Sequence, residues 1–312
     1  MPDASTRHDP RASDPMANNP VTRVNDVALC FEGGGMRASY TAAFSQALED
    51  LGLDFPYVCG VSAGSSLTVN HVARDAHRSR LQFVEYADDP RFGGIGHFLH
   101  GEGYFNSDYL YEGCVESGEV PVRWGAFCEN PAEAAMQAFS ADTGRTRTWH
   151  KADYADPVDL ARHARASSTM PLLMNPVEIE GELWFDGGLG DRGGLPHGMA
   201  LADGYERLVV VATRPRGYRK ETLGTAQRLL ARRALARYPR VAEALVARAQ
   251  AYNDAMAELE DMERRGQALV IRPDTMPVDN ACLDKARLEA SWDAGYIQAA
   301  RELERVLAFC GL

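Results

Sequence analysis

Short apolar segments alternate with glycine-rich turns and helical segments in the first third of the chain. Val27–Phe31 is a continuous apolar run, which is typical of a strand buried on both faces of a sheet. Glycines follow it, and residues 38–51 then have helical periodicity and end at Gly52, a common helix terminator. Residues 57–59 predict a second strand, followed by a tight turn and another helix. This repetition is typical of a parallel α/β sheet.

The pattern is weaker between about residues 80 and 160 and becomes regular again towards the C-terminus. Residues 105–115 predict a helix, and the segments around 142–144 predict a β-hairpin. Apolar residues recur at helical spacing between 235 and 259, where Pro239 is expected to break or kink the helix. Residues 283–309 predict a closing helix. Further strands are predicted at 177–179, 183–185, 207–212 and 268–272.

Composition and charge restrict what the 312-residue chain can do. Hydrophobic residues make up 45% and charged residues 25%, which is ordinary for a globular protein and excludes extensive disorder. The net charge of -11 argues against binding to nucleic acid, which needs clustered cations. No apolar run is long enough to span a bilayer. The six scattered cysteines have no metal-ligand spacing, so the sequence predicts reduced thiols, a cytoplasmic location and no metal or cofactor.

The segment Gly60-Val61-Ser62-Ala63-Gly64 lies between a predicted strand and a predicted helix. A nucleophilic serine on such a sharp turn needs small neighbours, because the backbone is strained and a larger side chain would cover the hydroxyl. The N–H group of Ala63, at the start of the helix, would then face the negative charge that develops on the substrate. The motif is weak alone, and its position between strand and helix strengthens it.

The glycines 33–35 allow three interpretations. A dinucleotide-binding loop is disfavoured because Ala38 occupies the third glycine position, and a P-loop is excluded because its Lys-Ser/Thr element is absent. An oxyanion-binding loop fits well, since consecutive glycines expose several N–H groups and let a carbonyl approach closely. A tight turn without any ligand is the remaining alternative.

A serine nucleophile needs a base, and the eight histidines offer no clear one. His197 is the best placed of them, yet it is expected near the start of a helix. Asp186 is the better candidate, because it follows a predicted strand and precedes two glycines that permit close backbone approach. A carboxylate next to a serine hydroxyl in a dry site can act as a base. An aspartate in an ordinary turn is the alternative interpretation.

Three motifs therefore occur in order: Gly-Gly-Gly-Met-Arg at 33–37, Gly-Val-Ser-Ala-Gly at 60–64 and Asp-Gly-Gly at 186–188. Together they resemble the patatin-like phospholipase family, whose members use a Ser–Asp dyad without histidine. The resemblance implies an α/β fold of three α/β/α layers with a mostly parallel central sheet. It also implies a catalytic domain over 25–215 and a mainly helical C-terminal extension over 216–312 that packs on it. The polar composition of residues 1–24 predicts a disordered tail before them.

The resemblance implies that Ser62 is the nucleophile and Asp186 the general base of a lipid acyl hydrolase. Ser62 would attack a phospholipid or another fatty acyl ester, and water would hydrolyse the acyl-enzyme. Arg37 would hold its loop by pairing with a carboxylate or lie near an anionic headgroup, and the structural role is favoured. The expected oxyanion donors are the N–H groups of Gly33, Gly34, Gly35, Met36 and Ala63. The expected supports of the two turns are Gly60, Gly64, Gly187 and Gly188.

Two other functions remain open. An acyltransferase would use an acceptor alcohol or thiol instead of water, but related transferases place a histidine beside the serine, where this chain has Val61. A non-catalytic lipid-binding protein is disfavoured because both dyad residues are present. The glycines at 93–96 suggest a lid hinge.

An arginine-rich stretch over 228–248 can be interpreted in two ways on a chain of net charge -11. A cationic amphipathic surface that contacts anionic lipid would make the protein peripheral to a membrane. A solvated helix face balanced by the acidic residues at 258–263 is the more common outcome for such charge runs.

Overall fold

An eight-stranded sheet forms the centre of the fold, and helices cover both of its faces. The computed structural model describes residues 21–89, 91 and 106–312. The strands are β1 (Thr22–Arg23), β2 (Val27–Phe31), β3 (Leu53–Asp54), β4 (Tyr57–Gly60), β5 (Glu133–Ser140), β6 (Thr146–Trp149), β7 (Val177–Ile179), β8 (Glu182–Asp186), β9 (Arg207–Val211) and β10 (Ala268–Ile271). The short strands β1 and β3 pair with each other, apart from the main sheet.

The helices connect the strands and dominate the C-terminal third. They are α1 (Ala38–Asp50), α2 (Ala63–Val72), α3 (Ala76–Phe83), α4 (Cys114–Glu116), α5 (Trp124–Glu129), α6 (Pro157–Ser168), α7 (His197–Ala202), α8 (Thr225–Ala234), α9 (Pro239–Arg264) and α10 (Lys285–Cys310). A π-helical turn, Tyr109–Gly113, leads into α4. Among the described helices, none is long and apolar enough to cross a membrane.

The main sheet is mostly parallel, as expected. Traced from each strand to a hydrogen-bonded neighbour, the sheet runs β10-β9-β2-β4-β5-β8-β7, and the first five of these strands are parallel. β8 and β7 continue the sheet in antiparallel fashion, and β6 pairs antiparallel with β5. Strand β2 shows why helices are needed on both faces: Leu29 and Phe31 pack with α1, α2 and α6, whereas Cys30 packs with α7 and α9. The predicted α/β fold and its C-terminal helices are confirmed.

Two strands that run towards each other create a meeting point inside the sheet. Gly60 at the end of β4 pairs with Met136 of β5, and Asp186 at the end of β8 pairs with Ala138 on the same strand. Strand β6 also pairs with Met136 and Ala138 of β5. Because each of these residues pairs with one strand on each side, β6 lies along one edge of β5, and β4 and β8 lie along the other. β4 and β8 therefore share one edge of β5, and their C-terminal ends face each other across a short gap.

The structure refines three local predictions. The helix predicted at 105–115 is present over residues 107–116, and it contains the π-helical turn that leads directly into α4. The break predicted at Pro239 is also present: residues 235–238 are not helical, and Pro239 occupies the first position of α9, where its missing N–H is harmless. Thr22–Arg23 forms β1 within the segment predicted to be a tail. Residues 1–20 and the suggested lid hinge at 93–96 lie outside the described residues.

The C-terminal helix α10 packs closely on α1. A Cβ atom at Gly295 would lie 2.3 Å from the carbonyl oxygen of Tyr40, so α10 approaches the α1 backbone where it carries no side chain. Ser39 Oγ donates a hydrogen bond to Ser291 Oγ at 2.9 Å across the same contact. Close backbone approach of this kind depends on a residue without a side chain.

We expect Gly295→Ala to lower the free energy of unfolding by about 1–3 kcal/mol, because the added methyl group must push α10 away from α1. Gly125→Ala is the matched control, since Gly125 is also helical and a Cβ there meets nothing within 4 Å. That change should be neutral or stabilise by at most about 1 kcal/mol. Urea denaturation of both variants measures the difference, and equal stabilities would contradict the close contact.

Candidate active site

Ser62 lies in a strained turn between β4 and α2. Its φ of 57° and ψ of -130° are unusual for a residue with a side chain and cost about 1–3 kcal/mol. The surrounding packing leaves no room for a side chain at the positions two residues before and two residues after the serine. A Cβ at Gly60 would lie 2.0 Å from the carbonyl oxygen of Gly64, and a Cβ at Gly64 would lie 2.2 Å from that of Phe31. The strand-to-helix turn predicted from the sequence is thus present.

The Ser62 hydroxyl points at the carboxylate of Asp186. Ser62 Oγ donates to Asp186 Oδ2 at 2.8 Å, and both residues are more than nine-tenths buried. Asp186 Oδ1 accepts the N–H of Gly188 at 2.6 Å, and the Asp186 N–H donates to the carbonyl of Thr169 at 2.8 Å. One carboxylate oxygen is therefore held by the backbone while the other is directed at the serine. The pair can transfer a proton from the hydroxyl to the carboxylate.

The glycine loop after β2 presents backbone N–H groups next to the serine. Gly35 has a φ of +55°, and a Cβ there would lie 2.3 Å from the carbonyl oxygen of Asn280, so this position requires glycine. The N–H of Gly33 donates to Gly194 at 3.2 Å, and that of Met36 donates to Asn280 at 3.1 Å. Two of the five expected oxyanion donors are thus already occupied.

Three of the expected donors remain available. Within residues 21–89 and 106–312, the N–H groups of Gly34, Gly35 and Ala63 have no hydrogen-bond acceptor. Ala63 is the first residue of α2, where the helix dipole adds positive potential. These three groups can bind an oxyanion beside Ser62.

A mostly apolar cavity opens at the serine. Its volume is about 700 Å³ when the solvent-filled mouth is included. Ser62, Ala63 and Gly35 lie on one wall. The apolar walls are formed by Met36, Phe83, Tyr86, Leu110, Tyr111, Val120, Met170 and Met174. Such a lining suits a hydrocarbon chain.

His197 lies apart from the serine. It is fully buried on α7, where its Nε2 is 3.1 Å from Glu258 Oε2 and 3.2 Å from Arg192 Nε. Burial lowers the pKa of His197, and the nearby Arg192 guanidinium lowers it further. The His197 hydrogen bond lowers the pKa of Glu258 to about 2. The structure therefore gives His197 a place in the packing of α7 against α9.

Several contacts of the site escaped the sequence analysis. Ser167 Oγ accepts the N–H of Ser62 at 3.0 Å and so holds the strained turn. The Thr213 side chain packs against Gly34, and Asn280 receives the N–H of Met36. Arg248 Nε donates to the carbonyl of Gly188 at 2.9 Å. These residues are distant in sequence from the groups that they contact, so the order of residues along the chain does not show these contacts.

Arg37 follows the glycine loop but is not paired as expected. Its residue is 7% exposed, and its buried Nε has no hydrogen-bond partner. No carboxylate in the described ranges forms an ion pair with it. Among the described residues, the positive charge of Arg37 therefore has no directly paired carboxylate, although the charge of Glu32 acts on it from nearby.

An α/β sheet with a buried serine–aspartate pair and a glycine-rich N–H loop defines the class of this protein. Residues 29–200 match the family of the patatin-like phospholipases, more than half of the chain. The chain therefore belongs to the patatin-like phospholipase family, as the motifs predict. Membership implies hydrolysis of lipid acyl esters in general.

Other comparisons concern the C-terminal region and the whole chain. Residues 238–311 match a domain of unknown function (DUF6363). A comparison with curated protein sequences gives no match. Among solved structures, VipD from Legionella pneumophila aligns with a TM-score of 0.46 and 13% sequence identity, over 90% of this chain and 67% of the VipD chain.

The buried His197 predicts a pH dependence of stability. Its pKa in the folded chain lies below the ordinary 6.5, so the unfolded chain binds more protons near that pH. The contribution of neutral His197 to the free energy of unfolding is therefore complete above pH 6.5, and it decreases as the pH falls below this value. We expect His197→Asn to lose less stability than the wild type between pH 7 and 5. Urea denaturation across this range measures the difference, and parallel profiles would contradict it.

Proposed function

We propose that the protein is a serine lipid acyl hydrolase in which Ser62 is the nucleophile and Asp186 the general base. The observation that carries the proposal is the 2.8 Å hydrogen bond from Ser62 Oγ to Asp186 Oδ2 at the end of an apolar cavity. A strained serine at a helix N-terminus supports it, because this geometry exposes the hydroxyl and places N–H groups beside it.

In the first step, Ser62 Oγ attacks the carbonyl carbon of a fatty acyl ester, and its proton passes to Asp186 Oδ2. The negative charge develops on the carbonyl oxygen, where the N–H groups of Gly34, Gly35 and Ala63 stabilise it. The tetrahedral intermediate then expels the alcohol, which takes the proton from Asp186. The acyl group is left as an ester on Ser62.

In the second step, water attacks this acyl-enzyme and gives its proton to Asp186. Collapse of the intermediate releases the fatty acid and returns the proton to Ser62. The acyl chain lies in the apolar cavity throughout, which removes its surface from water. If an acceptor alcohol replaced water, the same acyl-enzyme would transfer its acyl group to that alcohol. An assay must therefore identify the products and not only measure the loss of substrate.

Labelling with a long-chain alkyl fluorophosphonate, read by intact mass, tests the dyad. We expect one adduct on the wild type, none on Ser62→Ala, and labelling at least about a hundredfold slower on Asp186→Asn, because a positioned base contributes roughly 10²–10⁴. Hydrolysis of phospholipid and simple esters should fall in parallel.

Ser66→Ala is the matched control for this labelling. Ser66 also lines the cavity but has no carboxylate partner in the described chain, so its variant should be labelled like the wild type. An adduct on Ser62→Ala, or folded wild type that accepts no label and hydrolyses no ester, would contradict the proposal. The latter result combined with lipid binding would favour a non-catalytic lipid-binding protein.

We also propose that α8 contacts an anionic membrane surface. Leu229 and Leu230 are 69% and 67% exposed on this helix, next to the exposed Arg228 and Arg233. Glu258 and Glu260 of the acidic run pair with Arg192 and Arg219, and so do not balance α8. Two exposed leucines flanked by arginines suit the boundary between acyl chains and anionic headgroups.

Vesicle sedimentation tests this contact in the Ser62→Ala background, where lipid is not consumed. We expect binding to vesicles containing phosphatidylglycerol, and at least a tenfold loss in the double variant Leu229→Ser/Leu230→Ser, because two apolar side chains no longer enter the bilayer. Ile297→Ser is the matched control, since Ile297 is equally exposed on α10. Equal loss in the control, or no binding by the parent protein, would contradict the contact.

A further inference from the structure

Four basic side chains from distant parts of the chain gather behind the glycine loop. Arg37 follows this loop, Arg214 and Lys220 lie in the segment after β9, and Arg248 belongs to α9. We refer to these four residues as the basic cluster. Three of the four lie outside residues 29–200, the part that matches the family.

Aromatic rings and backbone carbonyls hold the basic cluster together. The Arg214 guanidinium lies 4.3 Å from the ring centre of Tyr218, and Lys220 Nζ lies 3.9 Å from that of Tyr252. The two rings contact each other edge to face, with centres 6.0 Å apart. Lys220 Nζ also donates to the carbonyl of Gly193 at 2.9 Å. Contacts of this kind fix the positions of the cations without neutralising their charge.

None of the four cations forms an ion pair with a carboxylate in the described ranges. Two arginines of the same segment, Arg216 and Arg219, do form such pairs, with Glu263 and Glu260. In the segment after β9, Arg216 and Arg219 therefore lie next to carboxylates, whereas Arg214 and Lys220 form no ion pair with one among the described residues.

Two carboxylates lie near the basic cluster, and each is engaged elsewhere. Glu32 is buried beside it and accepts the N–H of Thr213 at 2.6 Å. Asp186 lies near Arg248, beside Gly188. A Cβ atom added to Gly188 would be 2.8 Å from Asp186 Oδ1 and 2.9 Å from Arg248 Nη2, so both side chains contact this glycine. Asp186 Oδ2, as described above, accepts the hydroxyl of Ser62. Positive charge therefore exceeds negative charge at this place.

Burial and the neighbouring cations both disfavour the charged forms of Arg37 and Lys220. Burial, followed by the Arg214 charge, lowers the pKa of Arg37 to about 10. Burial, followed by the Arg248 charge, lowers the pKa of Lys220 well below its usual value. The Nε atoms of Arg37 and Arg214 are buried without a hydrogen-bond partner. Unpaired buried donors and mutually repelling cations are costly, and a bound anion would relieve both.

We propose that the basic cluster binds a phosphate group. Guanidinium groups match the geometry of phosphate oxygens, and an ammonium group adds a compact charge. The cluster borders the Ser–Asp site at Arg248, which donates to the carbonyl of Gly188 and lies beside the carboxylate of Asp186. If the proposed function holds, this phosphate belongs to a phospholipid headgroup, which the basic cluster binds while Ser62 attacks the acyl ester.

Calorimetric titration of the wild-type chain with inorganic phosphate and with glycerol 3-phosphate tests the binding half. We expect both to bind, and Arg214→Gln and Lys220→Gln each to weaken binding at least about tenfold, as for loss of a charge-assisted hydrogen bond. Lys220→Arg should retain binding. Arg216→Gln, an exposed residue of the same segment, is the matched control and should bind like the wild type. Absence of phosphate binding to the wild type would overturn the proposal, whatever the folding of the variants.

Matched substrates test whether the phosphate belongs to the lipid. For a lysophosphatidic acid and a monoacylglycerol of the same acyl chain, we expect kcat/KM in Arg214→Gln and Lys220→Gln to fall at least tenfold more for the phosphorylated lipid. Equal falls, with phosphate binding intact in the wild type, would overturn the headgroup assignment in favour of a free-phosphate site. A wild type inactive on an uncharged nitrophenyl ester would instead overturn the proposed function, and the titration would still decide the phosphate site.

Discussion

The approach of β4 and β8 along one edge of β5 is the constraint on which the candidate site depends. β4 arrives parallel to β5 and β8 arrives antiparallel, so their C-terminal ends meet. This meeting directs the Ser62 hydroxyl at Asp186, whose second oxygen is held by the backbone of the following turn. The strained serine backbone is tolerated because Ser167 and the packed glycines on either side hold the turn.

The C-terminal region is part of the site and not an appendage to it. Asn280 receives an N–H of the glycine loop, Arg248 holds the carbonyl of Gly188, and α10 packs on α1, which follows the loop. The C-terminal extension also supplies Lys220 and Arg248 to the basic cluster, and Arg214 directly precedes it. The apolar cavity at Ser62 is lined by residues between 35 and 174, whereas three of the four residues of the basic cluster lie beyond residue 200.

Much of the fold was predictable because its signals are local. The apolar run of β2, the glycine turns and the helix after Ser62 each follow from adjacent residues, and the mostly parallel sheet follows from their repetition. The helix predicted near 105–115 is present, but the sequence did not distinguish its π-helical turn, Tyr109–Gly113, from an ordinary α-helical turn. Periodicity does not separate these forms, because they share the same apolar spacing over one or two turns.

The sequence by itself determined the family and the residue types of the candidate site, because three short motifs carry their own steric requirements. Only the tertiary structure decided which N–H groups remain available and which charges remain unpaired. The N–H groups of Gly33 and Met36 donate hydrogen bonds to the carbonyls of Gly194 and Asn280, which lie more than 150 residues away in the sequence. Arg37 and Lys220 become neighbours across a similar distance. Hydrogen bonds and charges act through space, so their balance depends on contacts that local sequence does not specify.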